Sequence, residues 1–349
     1  MNEPSRQPRA TQALYTMAAF VIVIAGIKSA ESIMVTFLLS AFFAIICAVP
    51  FLMLQRRGLP AWLSIILVVL TIGLMQVLLI TIITTSVKDF SANLPIYQEK
   101  LRSVTLHGIA IFQSWGIEVP TEKILDTFNP GNILKASVNA LGSLGSVLSD
   151  SFLIILTVIF MLFEGMSLPK KLKLAFGENS PQIQYLRRFM GTVKRYMSIK
   201  AMVSLITGVI VYVALKIIGV DYPLLWSLLA FLLNFVPNIG SIIAAVPPVI
   251  LALVQLGSLS ALMVALVYVA INMIVGNWIE PRYMGKGLGL STLIVFMSLV
   301  FWGWILGPVG MFLSVPLTML LKIAFETSED TLWISILMGS DADEEPIKA

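Results

Sequence analysis

Apolar residues fill most of the chain in runs long enough to cross a membrane, and short charged clusters separate these runs. Apolar stretches of about 18 or more residues with few charges are typical of transmembrane helices. The first three runs cover residues 10–27, 32–55 and 61–87. The second and third are separated by Arg56 and Arg57. Because short cytoplasmic loops are enriched in Lys and Arg, this turn is predicted to be cytoplasmic.

Residues 88–149 have a different pattern, since charges of both signs are interspersed with apolar residues at helical spacing, such as Ile109 and Phe112. This pattern predicts an external subdomain of short amphipathic helices near the membrane surface. A solvated loop is the alternative interpretation. The predicted organisation starts with an N-terminal three-span unit at residues 1–87 and the external subdomain at 88–149. A core with two broken hairpins follows at 150–330, and an acidic cytoplasmic tail at 331–349.

The composition agrees with a membrane protein. Of the 349 residues, 58% are hydrophobic and 12% are charged, whereas soluble domains carry about 25% charged residues. The predicted fold class is therefore an all-α polytopic membrane protein with about eight transmembrane segments and both termini in the cytoplasm. The net charge of +4 lies mostly in short loops, which indicates membrane topology rather than nucleic-acid binding.

The inventory of reactive side chains is small. One His and one Cys allow neither a disulfide within the chain nor a His-based metal site. The sequence has no Walker loop and no Ser/His/Asp or Cys/His set, so we expect no catalytic residues, no metal and no cofactor. The protein is therefore predicted not to be an enzyme.

The longest uncharged stretch covers about 58 residues, 222–279, and is interrupted by proline and asparagine. Pro237 and Pro247 lack backbone N–H donors and are predicted to break or kink helices. Unwound backbone at membrane depth must be buried in protein or line an aqueous cavity. The apolar arms on either side of residues 234–241 are therefore predicted to form a helical hairpin, either spanning or re-entrant, with its tip at those residues.

A second broken stretch, residues 303–310, repeats features of the first. Gly240 is followed by a short apolar run that ends at Pro247, and Gly310 is followed by a similar run that ends at Pro316. By the predicted topology the two hairpins enter the membrane from opposite sides. Paired Pro/Gly-interrupted segments of this kind indicate the substrate site of a secondary transporter. The alternative is that Gly and Pro are simply frequent in membrane helices.

The polar side chains of the broken core are neutral. Amides that both donate and accept hydrogen bonds suit a neutral polyhydroxylated solute better than an ion. The predicted substrate-binding residues are Asn234, Pro237, Asn238, Gly240, Ser241, Asn272, Asn277, Gly307, Pro308 and Gly310. The asparagines alternatively satisfy the ends of broken helices.

Three charged residues near the ends of spans are candidates for coupling or gating: Glu164, Glu280 and Arg282. Ionisable residues at membrane depth are functional candidates by default. The alternatives are that Glu280 and Arg282 form an ion pair that fixes the turn at Pro281, and that Glu164 is solvated.

Four motifs in this region are similar to the autoinducer-2 exporter family of bacterial membrane proteins. They are LNFVPNIGS at residues 233–241, GNWIEPR at 276–282, MGKGLGLST at 284–292 and FWGWILGPVG at 301–310. The N-terminal third matches in hydropathy and layout. The resemblance implies export of a small hydroxylated signal, autoinducer-2, across the bacterial inner membrane. It also implies a homo-oligomer, a pentamer, in the lipid bilayer.

Two other functions stay open. Some relatives resemble sodium/proton antiporters, which need a carboxylate that binds cation and proton in turn, and Glu164 and Glu280 are the candidates. The other is a non-transporting membrane scaffold that docks partners on the external subdomain. The broken core disfavours the scaffold, because a scaffold has no need of unwound backbone at membrane depth.

Overall fold

The computed structural model of the protein describes residues 9–114, 135–136, 139, 152–177, 180–237, 239–284 and 289–340. Every regular element within these ranges is helical. The elements are α1 (Arg9–Ser29), α2 (Glu31–Arg56), α3 (Ala61–Ser114), α4 (Phe152–Phe176), α5 (Pro181–Ile218), α6 (Pro223–Leu233), α7 (Ile239–Leu256), α8 (Ser258–Ile271), a π-helical segment (Asn272–Ile279), α9 (Glu280–Met284), α10 (Thr292–Glu326) and α11 (Leu332–Leu337).

Within the described ranges, 7 helical segments are long and apolar enough to cross a membrane. They are α2, α3, α4, α5, α7, α8 together with the π segment, and α10. The apolar part of α1 and the whole of α6 are shorter. The predicted all-α polytopic membrane protein is therefore confirmed.

The helix α3 is longer than the sequence pattern predicts. It contains 54 residues, which corresponds to about 80 Å at 1.5 Å per residue. A hydrocarbon core is about 30 Å thick, so the C-terminal half of α3 extends beyond the membrane. Residues 88–114 therefore continue the third span as one helix instead of starting a set of short ones. Most of residues 115–149 lie outside the described ranges, so the predicted subdomain stays a prediction.

The helices α6 and α7 match the two predicted arms of the first hairpin. A turn at residues 234–237 separates them, and Pro237 lies in that turn as predicted. The predicted break at Pro247 does not occur, because α7 runs through both Pro247 and Pro248, and the alternative, a kink there, stays a prediction. Both prolines are buried, and packing on neighbouring helices is what allows proline inside a membrane helix.

The helix α10 doubles back on itself at Gly307, which has the non-helical angles φ 61° and ψ −151°. Trp302 Nε1 donates a hydrogen bond to Thr318 Oγ1 at 3.1 Å. Sixteen residues of straight helix would separate these two positions by about 24 Å. Residues 292–306 and 308–326 are therefore the two arms of a second hairpin, with the predicted break at its tip.

Each hairpin has a glycine at the point where its two arms lie closest together, and the two glycines occupy equivalent positions. A Cβ atom on Gly240 would overlap the carbonyl oxygen of Leu233, in the opposite arm of the first hairpin. A Cβ atom on Gly310 would overlap the carbonyl oxygen of Trp302, in the opposite arm of the second. In each hairpin the backbones of the two arms therefore lie so close together that only glycine fits at this position. The similarity between the two broken stretches therefore extends to their geometry.

The first hairpin occupies the centre of the described fold. It packs against α5, α8 and α3. The core that it shares with α5 contains side chains with no exposed surface: Val211, Leu215, Leu225, Trp226 and Leu251. At the other end of the hairpin, the Phe235 ring lies 4.5 Å from the Phe312 ring of the second hairpin, measured between centroids. The turn between α6 and α7 is thereby held against α10.

Candidate functional site

A small cavity lies where α5, α6, α7, α8 and the π segment meet, beside the turn that ends α6. Its volume is about 10 Å³. A helix break adds backbone polar groups to the side chains around a cavity, whereas a continuous helix keeps its backbone groups paired. The lining residues are Thr207, Ala230, Asn234, Ser241, Ala244, Tyr268, Ile271, Asn272, Val275 and Gly276.

Three predicted binding residues reach this cavity from three different elements. Asn234 comes from the end of α6, Ser241 from the first turn of α7, and Asn272 from the start of the π segment. Asn234 is 8% exposed, and its Nδ2 donates a hydrogen bond to Ser204 Oγ at 3.0 Å. The structure therefore brings together residues that are separated in sequence by up to about 38 positions.

Two of the lining residues that were not predicted carry hydroxyl groups. Thr207 and Tyr268 are buried, and neither hydroxyl oxygen has a hydrogen-bond partner among the described residues. A buried hydroxyl without a partner costs about 1–3 kcal/mol, so two of them beside one cavity indicate a site built for a polar occupant. Single Thr and Tyr residues within apolar helices gave no sequence signal that distinguishes them from residues packed in the core.

The π segment forms one wall of the cavity. It begins at Asn272 and continues to Ile279, and Gly276 lies at its middle. A Cβ on Gly276 would lie 3.0 Å from Asn272 Oδ1, so the absence of a side chain leaves room for the amide. Short π-helical insertions are frequent at functional sites, and here the insertion contributes Asn272, Val275 and Gly276 to the cavity lining.

Other predicted residues of the first hairpin region lie off the cavity. Gly240 is buried within the hairpin, Pro237 is half-buried in the turn, and Asn277 is exposed. None of these three contributes to the lining. Asn238 lies outside the described residues, so its predicted role stays a prediction.

The predicted residues of the second hairpin are also apart from the cavity lining. Gly307 and Pro308 form its tip, and Gly310 is buried between its arms. The tip instead meets the turn between α1 and α2: Lys28 Nζ lies 4.1 Å from the centroid of the Trp304 ring. The contact between hairpins runs through Phe235 and the second arm rather than from tip to tip.

Glu280 and Arg282, at the end of the π segment, contact residues other than each other. Glu280 Oε1 accepts a hydrogen bond from Lys200 Nζ at 2.6 Å, so an ion pair between Glu280 and Arg282 is wrong as an interpretation. Arg282 is exposed, and its guanidinium carbon lies 5.9 Å from the centroid of the Trp278 ring. Lys200 is distant in sequence, at the far end of a basic segment, which hid the pairing.

Glu164 lies on an exposed surface. Its carboxylate accepts a hydrogen bond from Lys171 Nζ at 2.6 Å, and both side chains are more than half exposed. It has no place on the cavity lining. No group of three or more His, Cys, Asp or Glu residues that could hold a metal ion occurs in the part of the chain that the structure describes.

The volume of the cavity limits what it holds in this conformation. About 10 Å³ accommodates roughly one water molecule, whereas pockets for small organic ligands measure about 300–1,000 Å³. Binding of an organic solute therefore requires the walls to separate. The turn at residues 234–237 and the π segment are the two irregular parts of these walls.

Comparisons with known proteins show the family of the chain. The sequence profile described as AI-2E family transporter matches residues 17–330. A Haemophilus influenzae protein, provisionally named a transport protein, is 40% identical over 336 residues, which cover 95% of this chain and 97% of that protein. The AI-2 transport protein TqsA of Escherichia coli K12 is 37% identical over 329 residues, covering 94% and 95% of the two chains.

The family profile covers most of the chain, and two relatives are 40% and 37% identical to it over nearly their full length. The similarity includes the helices that build the cavity, since the matched residues extend from 17 to 330. The chain therefore belongs to the AI-2E family of transporters.

Proposed function

We propose that this protein is a secondary transporter that exports a small, neutral, polar solute from the bacterial cytoplasm, and that autoinducer-2 is that solute. The observation that carries the proposal is the cavity at the broken hairpin, whose polar lining is neutral and includes two unpartnered hydroxyls. The AI-2 transport protein TqsA, whose name states its solute, supports the choice of autoinducer-2.

The lining chemistry suits a solute with several hydroxyl and carbonyl groups. Thr207 and Tyr268 each offer an O–H donor and acceptor lone pairs, and the amides of Asn234 and Asn272 offer both kinds of group. A charged solute would need a counter-charge, and the lining contains none. Binding would satisfy the two orphaned hydroxyls at the moment the walls separate, which favours the solute-bound state over the empty one.

Solute flux in proteoliposomes tests this proposal. Labelled autoinducer-2 loaded inside vesicles should exchange with external unlabelled solute at a rate that the Thr207→Val/Tyr268→Phe variant lowers at least tenfold. The variant removes two hydroxyls and keeps the shapes, and loss of about 1–3 kcal/mol per hydrogen bond gives this effect. Exchange no faster than in protein-free vesicles would reject autoinducer-2 as the solute.

A cation/proton antiporter is the second candidate, because Glu280 is a largely buried carboxylate about one turn from the lining residue Gly276. The same vesicles separate the two functions. Antiport would give sodium-dependent changes of internal pH in the absence of organic solute, whereas a solute exporter would give exchange of autoinducer-2. A membrane scaffold would give neither signal.

The proposed location is the inner membrane with both termini in the cytoplasm. The turn at Arg56 and Arg57 and the exposed Arg187 and Arg188 near the start of α5 supply the positive charge expected on that side. The exposed Ser103 lies 42 residues along α3 from Ala61, about 63 Å of helix, and is therefore proposed to be external.

Cysteine labelling checks this orientation. In a Cys47→Ala background, Ser103→Cys should react with a membrane-impermeant thiol reagent in intact cells. Ser167→Cys, beside the basic residues at the end of α4, should react only after lysis. The opposite pattern would mean that the protein has the inverted topology.

A further inference from the structure

Lys200 and Glu280 form a buried ion pair that the solute site does not account for. Their Nζ and Oε1 atoms are 2.6 Å apart, and the two side chains are 5% and 16% exposed. In the described part of the chain, no other ion pair has both partners this buried. Removing two charges from water is costly, and a buried pair is weak support for stability. Its presence therefore calls for another role.

The pair joins the same two walls that line the cavity. On α5, Ser204 and Thr207 follow Lys200 by about one and two turns, which places them about 6 and 10 Å further along the helix. On the opposite wall, Gly276 and Asn272 precede Glu280 by similar steps. The pair therefore lies just beyond the cavity, on the side of the N-terminal end of α5, and bridges its walls there.

The other side of the cavity is closed differently. Val211 and Leu215 of α5, Trp226 of α6 and Leu251 of α7 have no exposed surface and fill the space between the helices. This apolar plug is about one helical turn thick, since Val211 and Leu215 are four residues apart on α5. Opening it would expose large apolar side chains to water, whereas opening the other side separates two charges that water then hydrates.

From this arrangement, and resting on the transport proposed above, we propose that Lys200 and Glu280 are the inner gate of the solute path. The pair parts when the cavity opens towards the N-terminal end of α5, the proposed cytoplasmic side, and forms again when that side closes. Each charge is hydrated in the open state and neutralised by its partner in the closed state. The wall carrying Glu280 includes the irregular π segment, which gives it a means of moving.

Accessibility of the cavity tests the gate without any solute. Ser241→Cys in a Cys47→Ala background places one thiol on the cavity wall, and an impermeant thiol reagent is applied to inside-out vesicles. The neutral variant Lys200→Gln/Glu280→Gln, which leaves no stranded charge, should raise the labelling rate at least tenfold. The exchanged variant Lys200→Glu/Glu280→Lys should restore slow labelling.

The exposed pair between Lys171 and Glu164 is a matched control, because its N–O distance is also 2.6 Å. Lys171→Gln/Glu164→Gln should leave the labelling rate unchanged. Equal labelling rates with and without the Lys200–Glu280 pair would overturn the gate. A protein that transports no autoinducer-2 would still show the labelling difference, so the two proposals fail separately.

A crosslink gives a second measurement if the neutral variant does not fold. In the Cys47→Ala background, the two thiols of Lys200→Cys/Glu280→Cys are joined across the gate by a bifunctional thiol reagent whose linker contains a disulfide. Solute exchange in proteoliposomes should stop on crosslinking and return when the linker is reduced. Exchange that continues unchanged in fully crosslinked protein would show that the pair does not have to part, and the gate would be rejected.

Discussion

Replacing Gly240 or Gly310 with alanine is expected to abolish transport and to lower strongly the amount of folded protein. In each hairpin the new Cβ would overlap a backbone carbonyl oxygen of the opposite arm, that of Leu233 or of Trp302. A backbone oxygen cannot rotate away as a flexible side chain can. Overpacking of this kind costs about 3 kcal/mol, a large part of the 5–15 kcal/mol that stabilises a typical domain.

Gly73→Ala is the control for this prediction. Gly73 lies inside α3, and a Cβ there meets no atom within 4 Å, so alanine should favour the helix by up to about 1 kcal/mol. Folded protein is measured by the monodisperse peak in detergent and transport by solute exchange. Normal peaks and normal exchange for Gly240→Ala and Gly310→Ala would mean that the hairpins do not close as described.

Asn234→Leu is expected to lower solute exchange at least tenfold and to lower the stability of the folded protein modestly. Leucine branches at Cγ as asparagine does, is somewhat larger, and makes no side-chain hydrogen bond. Asn234 faces the cavity and holds Ser204 at 3.0 Å, so the change removes a solute contact and leaves one hydroxyl without its donor. The loss of about 1–3 kcal/mol per buried hydrogen bond corresponds to a tenfold effect or more.

A double variant separates a binding role of Asn234 from a structural one. Asn234→Leu/Ser204→Ala removes both partners, so no unsatisfied hydroxyl is left behind, and stability should recover. Exchange should stay low, because the solute still lacks its amide partner. Asn277→Leu, at an exposed position off the cavity, should exchange solute at close to the unmodified rate. Recovery of exchange in the double variant would assign Asn234 to the structure alone.

The helical architecture was predictable where proline, glycine or a change of charge marks the end of a helix in the sequence. The bounds of α6 and α7 follow from the uncharged arms and from Pro237, and the break of α10 follows from its glycines and Pro308. Local signals failed where packing decides. Pro247 is accommodated inside α7 because neighbouring helices cover it, and α3 continues past residue 87 although the charge pattern changes there.

The candidate site was predictable only in part, because it is assembled across helices. Asn234, Ser241 and Asn272 stand out as polar residues in an apolar stretch. Thr207 has no sequence feature that separates it from other threonines in membrane helices. Only the structure shows that its hydroxyl, like that of Tyr268, is buried without a hydrogen-bond partner among the described residues. The partner of Glu280, Lys200, lies 80 residues earlier in another helix. A single sequence does not show that these two residues are close in space.

The winding of the π segment has a mechanical consequence for the wall of the cavity. An α-helix turns by about 100° per residue, and a π-helix, with its wider i→i+5 bonding, turns by less. Over the 8 residues from Asn272 to Ile279 the difference adds up to a substantial rotation. Rewinding this one segment as an α-helix would swing Glu280 around the helix axis and away from Lys200, while α8 itself stays in place.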